Sequence, residues 1–178
     1  MEKIIIKEML IERVFIMWNI PFWTFFASVL IIAGVVVAFR KLRFIDVQIM
    51  IMVAALTLSC DMLFCKQFKL YSYVSVEYKG WYSFWANLFM LPAWGLIFIK
   101  LVPKSTKGVA VHIVLGAVIS TMFELFIAKP FGIVLYPGWR IIPYSPIGYV
   151  LLLTWIYVYY RILKKHCSKY NNITATKT

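Results

Sequence analysis

Acidic residues are scarce in this chain. Seven Asp and Glu stand against 19 Lys and Arg in 178 residues, and charged residues of both signs make up only 15%. A soluble domain carries about 25% charge, so a surface solvated on all sides is excluded. Histidine occurs twice and cysteine three times, too few for a four-ligand transition-metal site. Cys60 and Cys65 are five apart. On one helix they point in different directions and fail disulfide geometry, so the thiols are read as free. No GxxxxGK[ST], HExxH, GxSxG or CxxC occurs, which removes the phosphate cradle, the zincin helix, the hydrolase elbow and the redox pair. No metal and no cofactor is expected. A cleavable signal peptide is not expected either, because Glu2, Glu8 and Glu12 interrupt the first apolar stretch.

Apolar residues are abundant, 63% of the chain. They fall in blocks near twenty residues long, the length a helix needs to cross a hydrocarbon core of about 30 Å. The expected fold class is all-α: an integral membrane helical bundle of about five transmembrane helices plus a short N-terminal interfacial helix. Residues 1–19 form that interfacial helix, and the spans cover about 21–39, 47–65, 81–102, 108–128 and 146–163, followed by a basic tail at 164–178. Pro21 suits a first helical turn, and Pro92 is expected to kink the third span. The net charge of +12 sits at the ends of the blocks. That is how charge sets topology and meets anionic headgroups, so no nucleic-acid partner is expected. The side holding the 40–46 loop, the 103–107 turn and the tail carries eleven bases against eight on the other, which favours a cytoplasmic C-terminus.

Two connections, residues 66–80 and 129–145, are more than turns. The first is rich in Tyr; the second combines three prolines, Trp139 and Arg140. Its apolar content predicts that it folds back onto the bundle.

An Asp near a helix centre costs about 2.5–3.5 kcal/mol on insertion scales, so the few polar residues inside spans stand out. Asp61 and Glu124 each lie four residues before the end of a span, about 6 Å deep at 1.5 Å per residue. Asn87 lies about 9 Å deep from the same side by that rise, with Ser83 one turn nearer the surface. An odd number of spans brings these residues and both long loops to one leaflet, with Tyr71, Tyr73, Glu77, Tyr78, Tyr136, Trp139, Arg140 and Tyr144.

Two readings remain open. In the structural one, Asp61 pairs with Lys66 or Lys129, and Glu124 with Arg140 or Lys129. In the functional one, Asp61, Asn87, Glu124, Tyr136, Trp139 and Arg140 line a ligand site. There the carboxylates supply acceptors, Arg140 a fixed cation for an anionic headgroup, and the aromatic rings a stacking surface. Gly108, His112, Gly116, Ser120, Glu124 and Ala128 recur every fourth residue in span four. Small residues at that spacing allow close helix approach, so His112, Gly116 and Ser120 are read as helix-packing residues.

The stretch from Leu58 to Lys165 resembles a family of small, uncharacterised multi-pass membrane proteins of Bacillus- and Clostridium-type Firmicutes. The features that carry the resemblance are Ser59-Cys60-Asp61, the KxxxLY of Lys66 to Tyr71, FWANLFMLP from Phe84 to Pro92, TMFE at 121–124, IVLYPGW at 133–139, and Ser145. The resemblance implies a bacterial plasma-membrane helical bundle and no particular activity. The expected function is non-enzymatic: a module binding a lipid, a small ligand or a partner membrane protein, or a second copy of itself, through an outer-half pocket. A lipid hydrolase or transferase using Asp61 and Glu124 as a carboxylate pair is the first alternative. A small transporter component is the second, weakened by the lack of an inverted repeat and by an odd span count.

Overall fold

The computed structural model describes residues 19–74 and 80–175. The expected interfacial helix, apart from Asn19, and Glu77 and Tyr78 lie outside the described residues.

Five helices are long and apolar enough to cross a membrane: α1 (Ile20–Arg40), α2 (Phe44–Gln67), α3 (Trp81–Leu101), α4 (Thr106–Ala128) and α5, whose spanning part is Ile141–His166. The fold is therefore an all-α bundle, and the chain is a multi-pass membrane protein. Large apolar side chains cover its outer faces: Ile31, Ile51, Val111, Leu115, Leu151 and Trp155 are all exposed. In water such continuous apolar surface would be an aggregation liability; in lipid it is the solvated state.

Local chemistry sets the helix ends. Asn19 Oδ1 accepts the amide of Phe22 at 2.8 Å, and Pro21 sits in the first turn, where no donor is lost. Asp46, the third residue of α2, reaches back to the amide of Arg43 at 2.7 Å, as a capping carboxylate does. Ser105 Oγ caps α4 through Gly108 N at 3.1 Å. The α5 helix begins at Ile141, about five residues before the expected start, and continues through the basic tail to Ala175. Pro143 and Pro146 lie in its opening turns, where missing amides cost little. Ile142 takes an extended conformation (φ −104°, ψ 126°), because the residue before a proline avoids the helical region.

Helix α3 is the hub. Of its spanning window 61% is buried, against 17–28% for the other four. On the side of the long loops, Phe22 of α1 packs with Tyr82, Ala86 and Ala93 of α3 and with Ala128 and Ile133. On the other side, Ile49 and Val53 of α2, Phe98 of α3, Ile113 of α4 and Leu153 and Ile156 of α5 form a second core. Lipid is as apolar as leucine, so helix association rests on close fit. Gly116 supplies it: a Cβ there would lie 2.8 Å from Leu153 Cδ1 and 3.6 Å from Phe98. His112 packs beside it, its ring stacked on Phe98 at 4.6 Å and its Nε2 3.1 Å from Phe98 O.

The two long connections join. Strand β1 (Ser72–Tyr73) pairs antiparallel with β2 (Val134–Leu135), Ser72 opposite Leu135 and Tyr73 opposite Val134. Val74 N donates to Ile133 O at 3.1 Å, and Gly138 N donates to Leu70 O at 3.1 Å, extending the seam at both ends. The loops thus form one cap, joined to each other by backbone hydrogen bonds.

Candidate functional site

Beneath this cap lies a cavity of about 390 Å³. Its floor and walls come from every span. Phe25 and Val29 come from α1, Thr57 and Phe64 from α2, Asn87 and Trp94 from α3, Ser120 and Glu124 from α4, and Ser145 and Tyr149 from α5. The cap adds Tyr71, Tyr73, Tyr136 and Trp139. The volume lies within the usual range for small-ligand sites, about 300–1,000 Å³, and the mostly apolar wall with few polar groups is their usual character.

Three of the five spans widen into π-helical turns at this level: Met62–Gln67 in α2, Ala86–Met90 in α3 and Glu124–Ala128 in α4. Such turns are rare and concentrate at functional sites. Each adjoins or contains one of the polar residues singled out by depth: Asp61 precedes the first, Asn87 lies in the second, and Glu124 opens the third. In α3 the cause is local. Leu91 N bonds Ala86 O in the widened register, so the next amide would serve Asn87 O. That residue is Pro92, which has none. Thr57 Oγ1 of α2 lies 3.3 Å from Asn87 O instead, its one proton shared with Ala54 O at 3.2 Å.

Asn87 is buried, and its Nδ2 donates to Ser83 O at 2.9 Å and Ser83 Oγ at 3.1 Å. Ser83 Oγ donates in turn to Asp61 Oδ2. This chain ties α2 to α3 and forms the wall behind the cavity. Asp61 belongs to the wall and is not part of the lining. Glu124 does line the cavity. Its Oε1 accepts from Tyr149 Oη at 2.7 Å, and Ser145 and Tyr136 approach the carboxylate without full hydrogen-bonding geometry. Trp139 Nε1 donates to Ser145 Oγ at 2.9 Å, fixing the ring at the cavity mouth. Four buried polar atoms of this layer have no hydrogen-bond partner among the described residues: Asp61 Oδ1, Ser120 Oγ, Glu124 Oε2 and Tyr136 Oη. Buried polar groups are ordinarily satisfied, so such a concentration calls for a physical cause.

Arg140 departs from the arrangement expected of it. It is exposed, outside the cavity lining, and makes no ion pair with Glu124 among the described residues. Lys66 and Lys129 are likewise exposed, and neither pairs with a carboxylate in the described structure. Tyr149 takes the place proposed for a base, since a neutral hydroxyl costs less to bury beside a carboxylate than a second charge does. Ser120, read from sequence as a packing residue, lines the cavity.

The cap phenols are donors at every ordinary pH. Burial pushes Tyr71, Tyr73 and Tyr136 well above the usual phenol value of 10.0. The negative charge of Asp61 adds to this at Tyr71, that of Glu124 at Tyr136, and both at Tyr73. An acid with a raised native pKa binds its proton longer folded than unfolded, so stability falls as pH rises past the unfolded value. The cap is therefore expected to open above about pH 10. Hydrogen exchange of residues 70–74 and 133–138 checks this. Faster exchange than the alkaline increase in intrinsic rate is expected, and Tyr136→Phe should move the onset upward.

Sequence reasoning missed a second polar site, at the opposite ends of the spans. Lys100 Nζ lies 2.5 Å from Asp46 Oδ2, with both side chains buried. Lys100 Nζ also donates to Lys41 O at 2.7 Å, and an Arg40 guanidinium nitrogen donates to Lys100 O at 2.5 Å. The available signal was Asp46 itself, a lone acid three residues after Arg43 in a basic run. Beside this pair runs a groove of about 410 Å³ lined by Arg40, Arg43, Lys104, Arg161, Lys164 and Tyr160.

Comparison with family models, with curated proteins and with solved structures gives no match for this chain.

Proposed function

We propose that this protein is a membrane-embedded binding module that holds a small, largely apolar ligand in the capped cavity. The observation that carries the reading is the Glu124 carboxylate. One oxygen is bonded to Tyr149, and the other is buried on the cavity wall, approached by the Tyr136 and Ser145 hydroxyls without a full hydrogen bond. A bound molecule would complete what the protein leaves open. The carboxylate-pair alternative is less favoured, because Asp61 is turned into the wall toward Ser83 while Glu124 faces the cavity.

The proposed setting is the bacterial plasma membrane, supported by the resemblance of residues 58–165, with the C-terminus cytoplasmic, supported by the basic excess on that side. Anionic lipid headgroups are the partners that suit the basic groove beside Lys100, since clustered bases at a membrane surface attract them.

The fluorescent neutral probe 1-aminoanthracene tests the cavity. Saturable one-to-one binding to the protein in nanodiscs is expected. Ser120→Phe, which fills the space beside Glu124, should weaken it at least tenfold. Non-saturable uptake, or binding unchanged by the filling substitution, contradicts the proposal.

A further inference from the structure

We propose that the ligand is a small organic cation, an amine or quaternary ammonium on an apolar body. This rests on the cavity reading above and fixes the class of its occupant. The cavity of about 390 Å³ lies at the small end of the range for small-ligand sites.

The charge follows from what the lining contains. It includes nine aromatic rings, among them Phe25, Tyr73, Trp94, Tyr136, Trp139 and Tyr149, and one carboxylate, Glu124. It includes no Lys, Arg or His. The bases nearest in sequence, Lys66, Lys69, Lys129 and Arg140, all face outward. Asp61, a second acid, stands just behind the wall with Oδ1 unpartnered. An anionic ligand would meet one carboxylate, with a second behind the wall, and no counter-charge. A neutral apolar ligand would fill the space and leave the buried Glu124 charge with only neutral hydroxyls beside it, a cost that a ligand charge removes. A cation meets the carboxylate directly and the faces of the rings around it. Electron-rich ring faces attract a desolvated ammonium more strongly than an exposed one. Tyr149 holds the carboxylate in place for this, and the hydroxyls of Tyr136 and Ser120 supply neutral polar surface at the same level.

Two probes of equal shape separate charge from size: benzyltrimethylammonium, and its neutral isostere neopentylbenzene, in which carbon replaces the nitrogen. Each is titrated against 1-aminoanthracene on the full-length protein in nanodiscs. The cation is expected to displace the probe at least tenfold more effectively than the isostere. Glu124→Gln should remove that preference while leaving displacement by the isostere within about twofold. If Glu124→Gln does not fold, Trp94→Leu serves in its place, with a several-fold loss for the cation alone. Equal displacement by both compounds overturns the cation assignment and leaves the cavity standing. Binding of 1-aminoanthracene with no displacement by the cation also overturns the assignment. Failure of 1-aminoanthracene itself to bind removes the cavity reading and the assignment with it.

Discussion

Lys100→Met is expected to lower the stability of the protein by about 3–5 kcal/mol, the usual loss when one partner of a buried ion pair is removed. Lys100 and Asp46 are both buried and 2.5 Å apart. Without the ammonium, Asp46 keeps the Arg43 amide at 2.7 Å and a longer, solvent-exposed contact to the Arg43 guanidinium at 3.4 Å, but loses the one cation buried with it. Adding Asp46→Leu should restore most of the loss, because desolvating two charges costs several kcal/mol each and apolar replacement is often neutral. The residual deficit belongs to the lost helix cap, about 1 kcal/mol. Thermal unfolding in detergent of the two single variants and the double variant is the check. Additive losses would mean that the two residues do not act as a pair. This pair joins the start of α2 to the end of α3, so it fixes the register of the central helix and thereby the depth of Asn87 in the cavity wall.

Ser83→Ala is expected to cost about 3 kcal/mol, more than a deleted surface hydroxyl, because it strips the donor that Asp61 Oδ2 uses while Asp61 Oδ1 already lacks a partner. The carboxylate is 3% exposed, so water does not replace the lost bond. Asn87 would keep its bond to Ser83 O and lose the one to Oγ. Removing both ends, Ser83→Ala with Asp61→Leu, should return the protein close to its original stability, since replacing both partners by apolar groups is nearly neutral. Equal unfolding temperatures for Ser83→Ala and the wild type would remove the proposed wall between α2 and α3.

The five helices were legible because hydrocarbon thickness imposes a length that composition alone reveals. The common depth of Asp61, Asn87 and Glu124 followed from the same arithmetic, and the structure places Asn87 and Glu124 on one cavity, with Asp61 behind its wall. What the sequence hid depends on side-chain direction. Asp61 and Glu124 have equal depth but different azimuth, so one faces α3 and the other the cavity. Arg140 looked like a partner for Glu124 by proximity along the chain. Its position at the start of α5 lets it reach water at no cost, and water won. The π-helical turns could be suspected only at Pro92, where a missing amide forces a compromise. The pairing of Ser72–Tyr73 with Val134–Leu135 joins segments some sixty residues apart; residues 71–78 alternate as a strand does, but 133–139 do not, so the partner was hidden.

Everything specific about the cavity depends on those two loops meeting over it on one side of the membrane. Opposed residues of an antiparallel pair have Cα atoms about 4.5–5.5 Å apart, within the range a disulfide spans. Disulfide trapping of Ser72→Cys with Leu135→Cys, in a chain whose native cysteines are replaced by serine, is the most direct measurement. Rapid intramolecular oxidation in the membrane is the predicted result. Two thiols that both react with maleimide yet never join would contradict the account.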